Sequence, residues 1–215
     1  MSCADPIRKR VWMYNGKETW AWDGTDWSLQ TTSTYPPRRW FTRFAFDPGS
    51  GLCILFGGQT HNGQQYLELD EAWAWDGKAW TLLAPSLKPP ARSAHGLVSD
   101  PDGSGLVMFG GRDATNAELG DTWRFAKGSW TALAGTGTPY PGKGWKRMVM
   151  DTVRDRPILV EAVELPTRSM ASWEFDGDDW LQHTPKQVPP LPPALHRPTT
   201  PLRRRVTLFG GNDGT

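Results

Sequence analysis

One phrase is written four times along the chain: TWAWDGTDWSL at Thr19–Leu29, AWAWDGKAWTL at Ala72–Leu82, TWRFAKGSWTAL at Thr122–Leu133 and SWEFDGDDWLQ at Ser172–Gln182. Its tryptophan pairs, Trp20/Trp27, Trp73/Trp80, Trp123/Trp130 and Trp173/Trp180, share one seven-residue offset. The pairs begin 53, 50 and 50 residues apart (73−20, 123−73, 173−123). Self-similarity at such a period marks a repeat architecture, in which a unit unable to bury its own faces stacks against copies of itself.

Two further landmarks keep the same phase. Apolar runs end in a glycine doublet, as CILFGG at Gly58, LVMFGG at Gly111 and VTLFGG at Gly211; WMYNG at Gly16 and PILVEA at Ala162 break the pattern. Nine residues before the Phe of FGG stand Asp47 and Asp100, with Asp5, Asp151 and Thr200 at the matching places. Each unit reads as four short strands: one before the Asp (Ser93–Ser99, for example), one ending at the doublet, one holding Trp-x-Trp or Trp-x-Phe, and one beginning at the second Trp. A period of two puts both aromatics of the third strand on one face. Asp-Gly suits the hairpin that follows. Pro-rich spacers such as Lys88-Pro89-Pro90 are stiff and cannot join a sheet.

Four-stranded units of about 50 residues are propeller blades, which bury their faces by stacking around an axis. The expected fold is all-β: one domain, 1–215, of about four four-stranded antiparallel blades, with units at roughly 1–37, 38–90, 91–141 and 142–193 and a partial unit at 194–215. The ring is expected to be incomplete or irregularly closed. The first unit enters at Asp5, at the end of its first strand, and Val11–Tyr14 and Val206–Phe209 compete for one second-strand place. Trp22, Trp75, Phe125 and Phe175 are expected between blades.

These residues resemble the kelch repeats. The resemblance rests on the FGG doublets, the third-strand aromatic, the Trp seven residues later and an arginine near strand one (Arg39 in RRWF, Arg92 in ARSAHG). AWDG and PPARSAHG look like the bacterial kelch type. The resemblance covers essentially the whole chain, with Pro157–Glu164 and Lys143 departing from it. It implies a kelch-type propeller, and it implies that arginines near the channel mouth meet acidic peptides, as in protein-binding kelch domains. His95 stands at the histidine place of the motif.

Bulk properties narrow the function. A formal net charge of +1 gives no electrostatic footprint for nucleic acid or an anionic membrane. No apolar run reaches the roughly 20 residues of a membrane helix. MSCADPIRKR has no apolar core of a secretory signal, which makes the cytoplasm the default compartment, or secretion if the N-terminus is truncated. Cys3 and Cys53 form neither a disulfide framework nor a metal site by spacing, and Cys53 reads as a small buried hydrophobe. The four histidines show no metal spacing. No cofactor is expected.

Recurrence separates structure from site. Glu18, Glu71 and Asp121 stand two places before the third-strand Trp, and Arg39, Arg92 and Lys143 near strand one. Groups that recur with the fold point to structural pairing rather than catalysis. Alternating strand direction gathers the loops Gln59–Asp70, Arg112–Gly120 and Glu164–Ser169 on one end, and recognition lives on such loops. The candidate ligand contacts are Arg38, Arg39, Trp40, Arg92, Lys143, Trp145, His61, Tyr66, Arg112 and Asn116; Trp12 is the remaining tryptophan outside the repeated phrase. The leading function is a non-catalytic binding or scaffold module for a protein or glycan. The alternatives are an enzyme domain, galactose-oxidase-like or a lyase, and an architectural segment of a longer repeat protein. Self-association through open terminal strands is a further expectation.

Overall fold

The computed structural model describes residues 1–135, 139, 144–163 and 169–183, and every regular element among them is a β-strand. Blade 1 is β1 (Ser2–Asp5), β2 (Arg10–Tyr14), β3 (Thr19–Trp22) and β4 (Trp27–Gln30). Blade 2 is β5 (Arg43–Asp47), β6 (Leu52–Phe56), β9 (Ala72–Trp75) and β10 (Trp80–Leu83), with an extra hairpin of β7 (Gln59–His61) and β8 (Tyr66–Glu68) between its second and third strands. Blade 3 is β11 (Gly96–Ser99), β12 (Gly105–Arg112), β13 (Glu118–Ala126) and β14 (Ser129–Leu133). Blade 4 is β15 (Gly144–Asp151), β16 (Arg156–Val163), β17 (Ser169–Phe175) and β18 (Trp180–His183).

Each blade is a purely antiparallel meander. The first strands pack on one another in turn, β1 on β5, β5 on β11 and β11 on β15, so they line the axis of a four-bladed β-propeller. Among the described residues no comparable packing joins β15 to β1. The partial unit at 194–215 lies outside the described residues.

The landmark aspartates tie off the hairpins between first and second strands. Asp47 accepts from Gly49 N (3.0 Å) and Ser50 Oγ (2.5 Å), and Asp151 from Val153 N (3.0 Å) and Arg154 Nε (2.7 Å). Asp5 does the same for Arg8 and also takes the Trp12 indole N–H at 2.9 Å. This corrects the expectation for the first unit. Ser2–Asp5 is a full inner strand, in register from Ser2↔Met13 to Asp5↔Arg10, because Cys3 and Asp5 turn inward and are buried. Trp12 is core as well, edge-on to Trp75 with ring centroids 5.6 Å apart.

The repeated phrase is the contact between blades. Trp80 of blade 2 packs on Tyr14 of blade 1 (5.7 Å), Trp130 of blade 3 on Phe56 of blade 2 (4.8 Å), and Trp180 of blade 4 on Phe109 of blade 3 (5.2 Å). Within its own blade each also meets the third-strand aromatic, Trp75, Phe125 or Phe175. Those three are fully buried. A side chain of this size removes roughly 150–250 Å² from water, a gross gain of about 4–6 kcal/mol. Trp22 departs from the expectation: it is half-buried against Trp27, itself 41% exposed. The physical reason is position, since among the described residues no blade lies on that side of blade 1.

Candidate functional site

The arginines expected at the mouth are turned inward. Arg39 and Arg92 each have a side chain with no exposure. Arg92 makes a bidentate pair with Asp121 (2.6 and 2.7 Å) and donates to the carbonyls of Pro90 (3.0 Å) and Gly110 (3.0 Å). Arg39 repeats this one blade earlier with Glu71 (2.6 Å), Pro37 O and Gly57 O. Two of these accepting carbonyls, Gly57 O and Gly110 O, belong to the first glycine of a doublet. Gly57 and Gly58 have φ of 61° and 100°, and Gly110 and Gly111 have 64° and 104°. A Cβ on Gly58 or Gly111 would lie 2.7 Å from the carbonyl oxygen of Trp40 or Ser93, so both conformation and space demand glycine.

Doublet, arginine and carboxylate are therefore one latch joining strand two, the spacer and strand three. Arg39 and Arg92, expected as ligand contacts, are instead buried structural residues: each of the three guanidinium nitrogens is hydrogen-bonded inside the blade. The same carboxylates take the indole N–H two residues on, as in Glu18–Trp20 (3.0 Å), Glu71–Trp73 (3.0 Å) and Asp121–Trp123 (2.6 Å). In blade 4 Ala171 occupies that place, and Trp173 Nε1 is buried without a partner. For Asp121, burial alone raises the carboxyl pKa, but the hydrogen bonds from Arg92 and Trp123 and the Arg92 charge outweigh it and hold it low; Glu71 behaves alike with Trp73 and Arg39.

Of the remaining candidates, Arg38 and Trp40 lie beside the strand that carries His61, while Arg112 and Asn116 belong to blade 3. Arg38 stacks over the Trp40 ring at 5.1 Å. Trp40 bridges to Gln59 by two backbone hydrogen bonds of 2.8 Å, and Thr60 Oγ1 donates to Arg38 O at 2.9 Å. The Arg38–Trp40 segment thus runs beside β7. The β7–β8 hairpin displays His61 and Tyr66, stacked edge-to-face at 4.8 Å, with Tyr66 63% exposed. In the next blade Arg112 pairs with Glu118 at 2.8 Å and reaches Asn116 at 3.4 Å. Lys143 lies outside the described residues, as does most of the Glu164–Ser169 loop, and Trp145 is described only as part of β15.

Three residues here escaped the sequence reading. Phe41 is 56% exposed with φ +52°, a conformation bulky residues rarely adopt, and the turn it makes aims an aromatic ring into solvent. Arg43 and Arg147 occupy equivalent places on β5 and β15, four residues before Asp47 and Asp151. Burial and the charge of Arg147 lower the Arg43 pKa to about 10. Neither arginine has an acidic partner among the described residues. Beside Arg43, His95 is fully buried against Phe56 with neither ring nitrogen hydrogen-bonded; burial and the charges of Arg43 and Arg92 push its pKa well below the usual range. Aligning the units on their aspartates was the signal that could have found the arginine pair.

The opposite end differs. A cleft of about 480 Å³ between the turns of blades 3 and 4 is lined by Asp100, Asp102, Arg124, Arg154, Arg156 and Asp176, among others. Its arginines are spoken for: Arg124 by Asp100, Arg154 by Asp151 and Glu174, and Arg156 by Glu174.

No family model matches the sequence. Among solved structures the chain is similar to YjhT, with a TM-score of 0.65 at 15% identity; the match covers 87% of this chain and 65% of that one. The chain thus spans about two thirds of the length of YjhT. A likeness at this identity speaks for the fold, a β-propeller, and for nothing finer.

Proposed function

We propose that the chain is a kelch-type propeller module, non-catalytic, whose loop end binds a protein or glycan carrying acidic groups. One observation carries the reading. Exposed aromatics (Trp40, Phe41 and Tyr66) and Arg38 lie at the end of blade 2 where its first strand begins with Arg43, and neither Arg43 nor its counterpart Arg147 has a carboxylate partner among the described residues. Aromatic faces supply stacking area for a sugar or a side chain, and unpaired arginines supply directional donors for a carboxylate.

The test is a glycan-array and acidic-peptide screen of the protein, followed by Arg43→Gln, Arg147→Gln, Trp40→Ala and Tyr66→Ala, with stability measured separately. A genuine ligand loses tenfold or more in affinity with the arginine changes, and high salt weakens it. A ligand weakened only by Asp76→Ala or Asp176→Ala, at the opposite end, overturns the choice of face. Self-association is also proposed, now through the uncovered Trp22/Trp27 face. Light scattering over a range of concentrations checks it; a mass of 24.0 kDa throughout contradicts it.

A further inference from the structure

We propose that Cys3 and Cys53 form a disulfide that staples blade 1 to blade 2. Cys3 lies on β1 and Cys53 on β6, 50 residues apart, and their Sγ atoms are 2.6 Å from each other. That is closer than unbonded sulfurs pack, and about 0.6 Å beyond a disulfide bond of roughly 2.05 Å. Both thiols are almost fully buried, in the cluster that holds Trp12, Trp75 and Trp80. The groups acting on Cys3 are its burial, Cys53 and Asp5, all of which push its thiol pKa far up. With no cation among them to stabilise a thiolate, the pair is not a nucleophile or a metal site in waiting. What the geometry suits is the bond itself.

The reaction is thiol–disulfide exchange with a small disulfide such as oxidised glutathione. One cysteine thiolate attacks a glutathione sulfur and expels the first glutathione thiolate. The second cysteine attacks the mixed disulfide at the protein sulfur and expels the second. The two cysteine thiols are oxidised, one glutathione disulfide is reduced to two thiols, and the two protons the cysteines lose are taken up, through solvent, by the two expelled glutathione thiolates. Because the sulfurs are buried, exchange proceeds during folding or when β1, paired in its sheet with β2 alone among the described residues, lifts away. Once closed, the bond is shielded from reductant by the same burial. It spans a 50-residue loop and so restricts the unfolded chain strongly.

The experiment refolds the full chain from denaturant in oxidised glutathione and, separately, in excess reductant. Free thiols are counted under denaturing conditions, intact mass is measured, and both samples are melted. The expected result is a folded chain without free thiols, lighter by two hydrogens and carrying no glutathione, with a melting midpoint roughly 5–15 °C higher than the reduced form. Cys3→Ser and Cys53→Ser should each abolish that difference while keeping the reduced-state fold. Two persistent free thiols, two glutathione adducts, a crosslink between chains, or an internal bond that lowers the midpoint would each overturn the proposal.

Discussion

Asp121 serves two donors at once, the buried Arg92 fork and the Trp123 indole. Asp121→Ala strands a guanidinium that has no exposure, and such a loss costs about 3–5 kcal/mol. Arg112→Ala removes a pair whose arginine is 46% exposed and should cost less than about 1 kcal/mol. Urea denaturation of the two variants measures the contrast. His95 contributes one part of the pH dependence. Its folded pKa lies well below 6.5, so between that pKa and about 6.5 the unfolded chain binds the extra proton, and stability falls as pH drops below about 6.5. The limiting slope for one such group is about 1.4 kcal/mol per pH unit. The carboxylates held low by the latch, Asp121 and Glu71, add their own loss only at more acidic pH, where the unfolded chain takes up their protons. Blade 2 places Thr42 where blade 3 has His95, with its hydroxyl donating to Phe56 O at 2.7 Å. His95→Thr should therefore flatten the stability profile between pH 6.5 and the onset of acid unfolding; an unchanged profile would assign the slope to another group.

At the scale of elements, small departures between sister strands become interpretable. Trp80 Nε1 donates to Thr19 Oγ1 (2.8 Å) and Trp180 Nε1 to Thr122 Oγ1 (2.9 Å), both across a blade interface. Trp130 Nε1 is buried without a partner, because blade 2 has Ala72 at that place. Ala72→Thr should supply the missing acceptor and stabilise by about 1 kcal/mol in thermal or urea melts. A destabilised variant would mean the blade 2–3 interface is too tight for the added atoms. This regularity shows what the sequence could reveal. Phe125 and Phe175 were readable as core because a period of two fixes the face of a strand whatever surrounds it. Recurrence likewise marked Arg39 and Arg92 with Glu71 and Asp121 as structural pairs, but the same topology that put their backbone near the mouth did not reveal that the side chains turn inward. Trp22 misled because its pattern is the same as Trp75's and only the neighbouring blade differs. Cys3 and Cys53 carry no local signal, since their meeting depends on the packing of two successive blades. The β7–β8 hairpin lies within a stretch that reads simply as a long loop.

Across the whole molecule, one rule organises the structure: the Trp that opens each fourth strand is held by the blade before it. The rule explains why Trp80, Trp130 and Trp180 are at most 3% exposed while Trp27, with the same sequence context, is 41% exposed. It also places the apolar surface available for association on blade 1, away from the Arg38–Trp40–Tyr66 end proposed for ligand. The most direct measurement is a urea-denaturation series of the four equivalent variants, Trp27→Ala, Trp80→Ala, Trp130→Ala and Trp180→Ala, at a protein concentration where the chain is monomeric. The expected losses are about 3–5 kcal/mol for each of the last three and less than about 1 kcal/mol for Trp27→Ala. Equal losses at all four positions, or a large loss at Trp27 alone, would contradict the order in which the blades are said to hold one another.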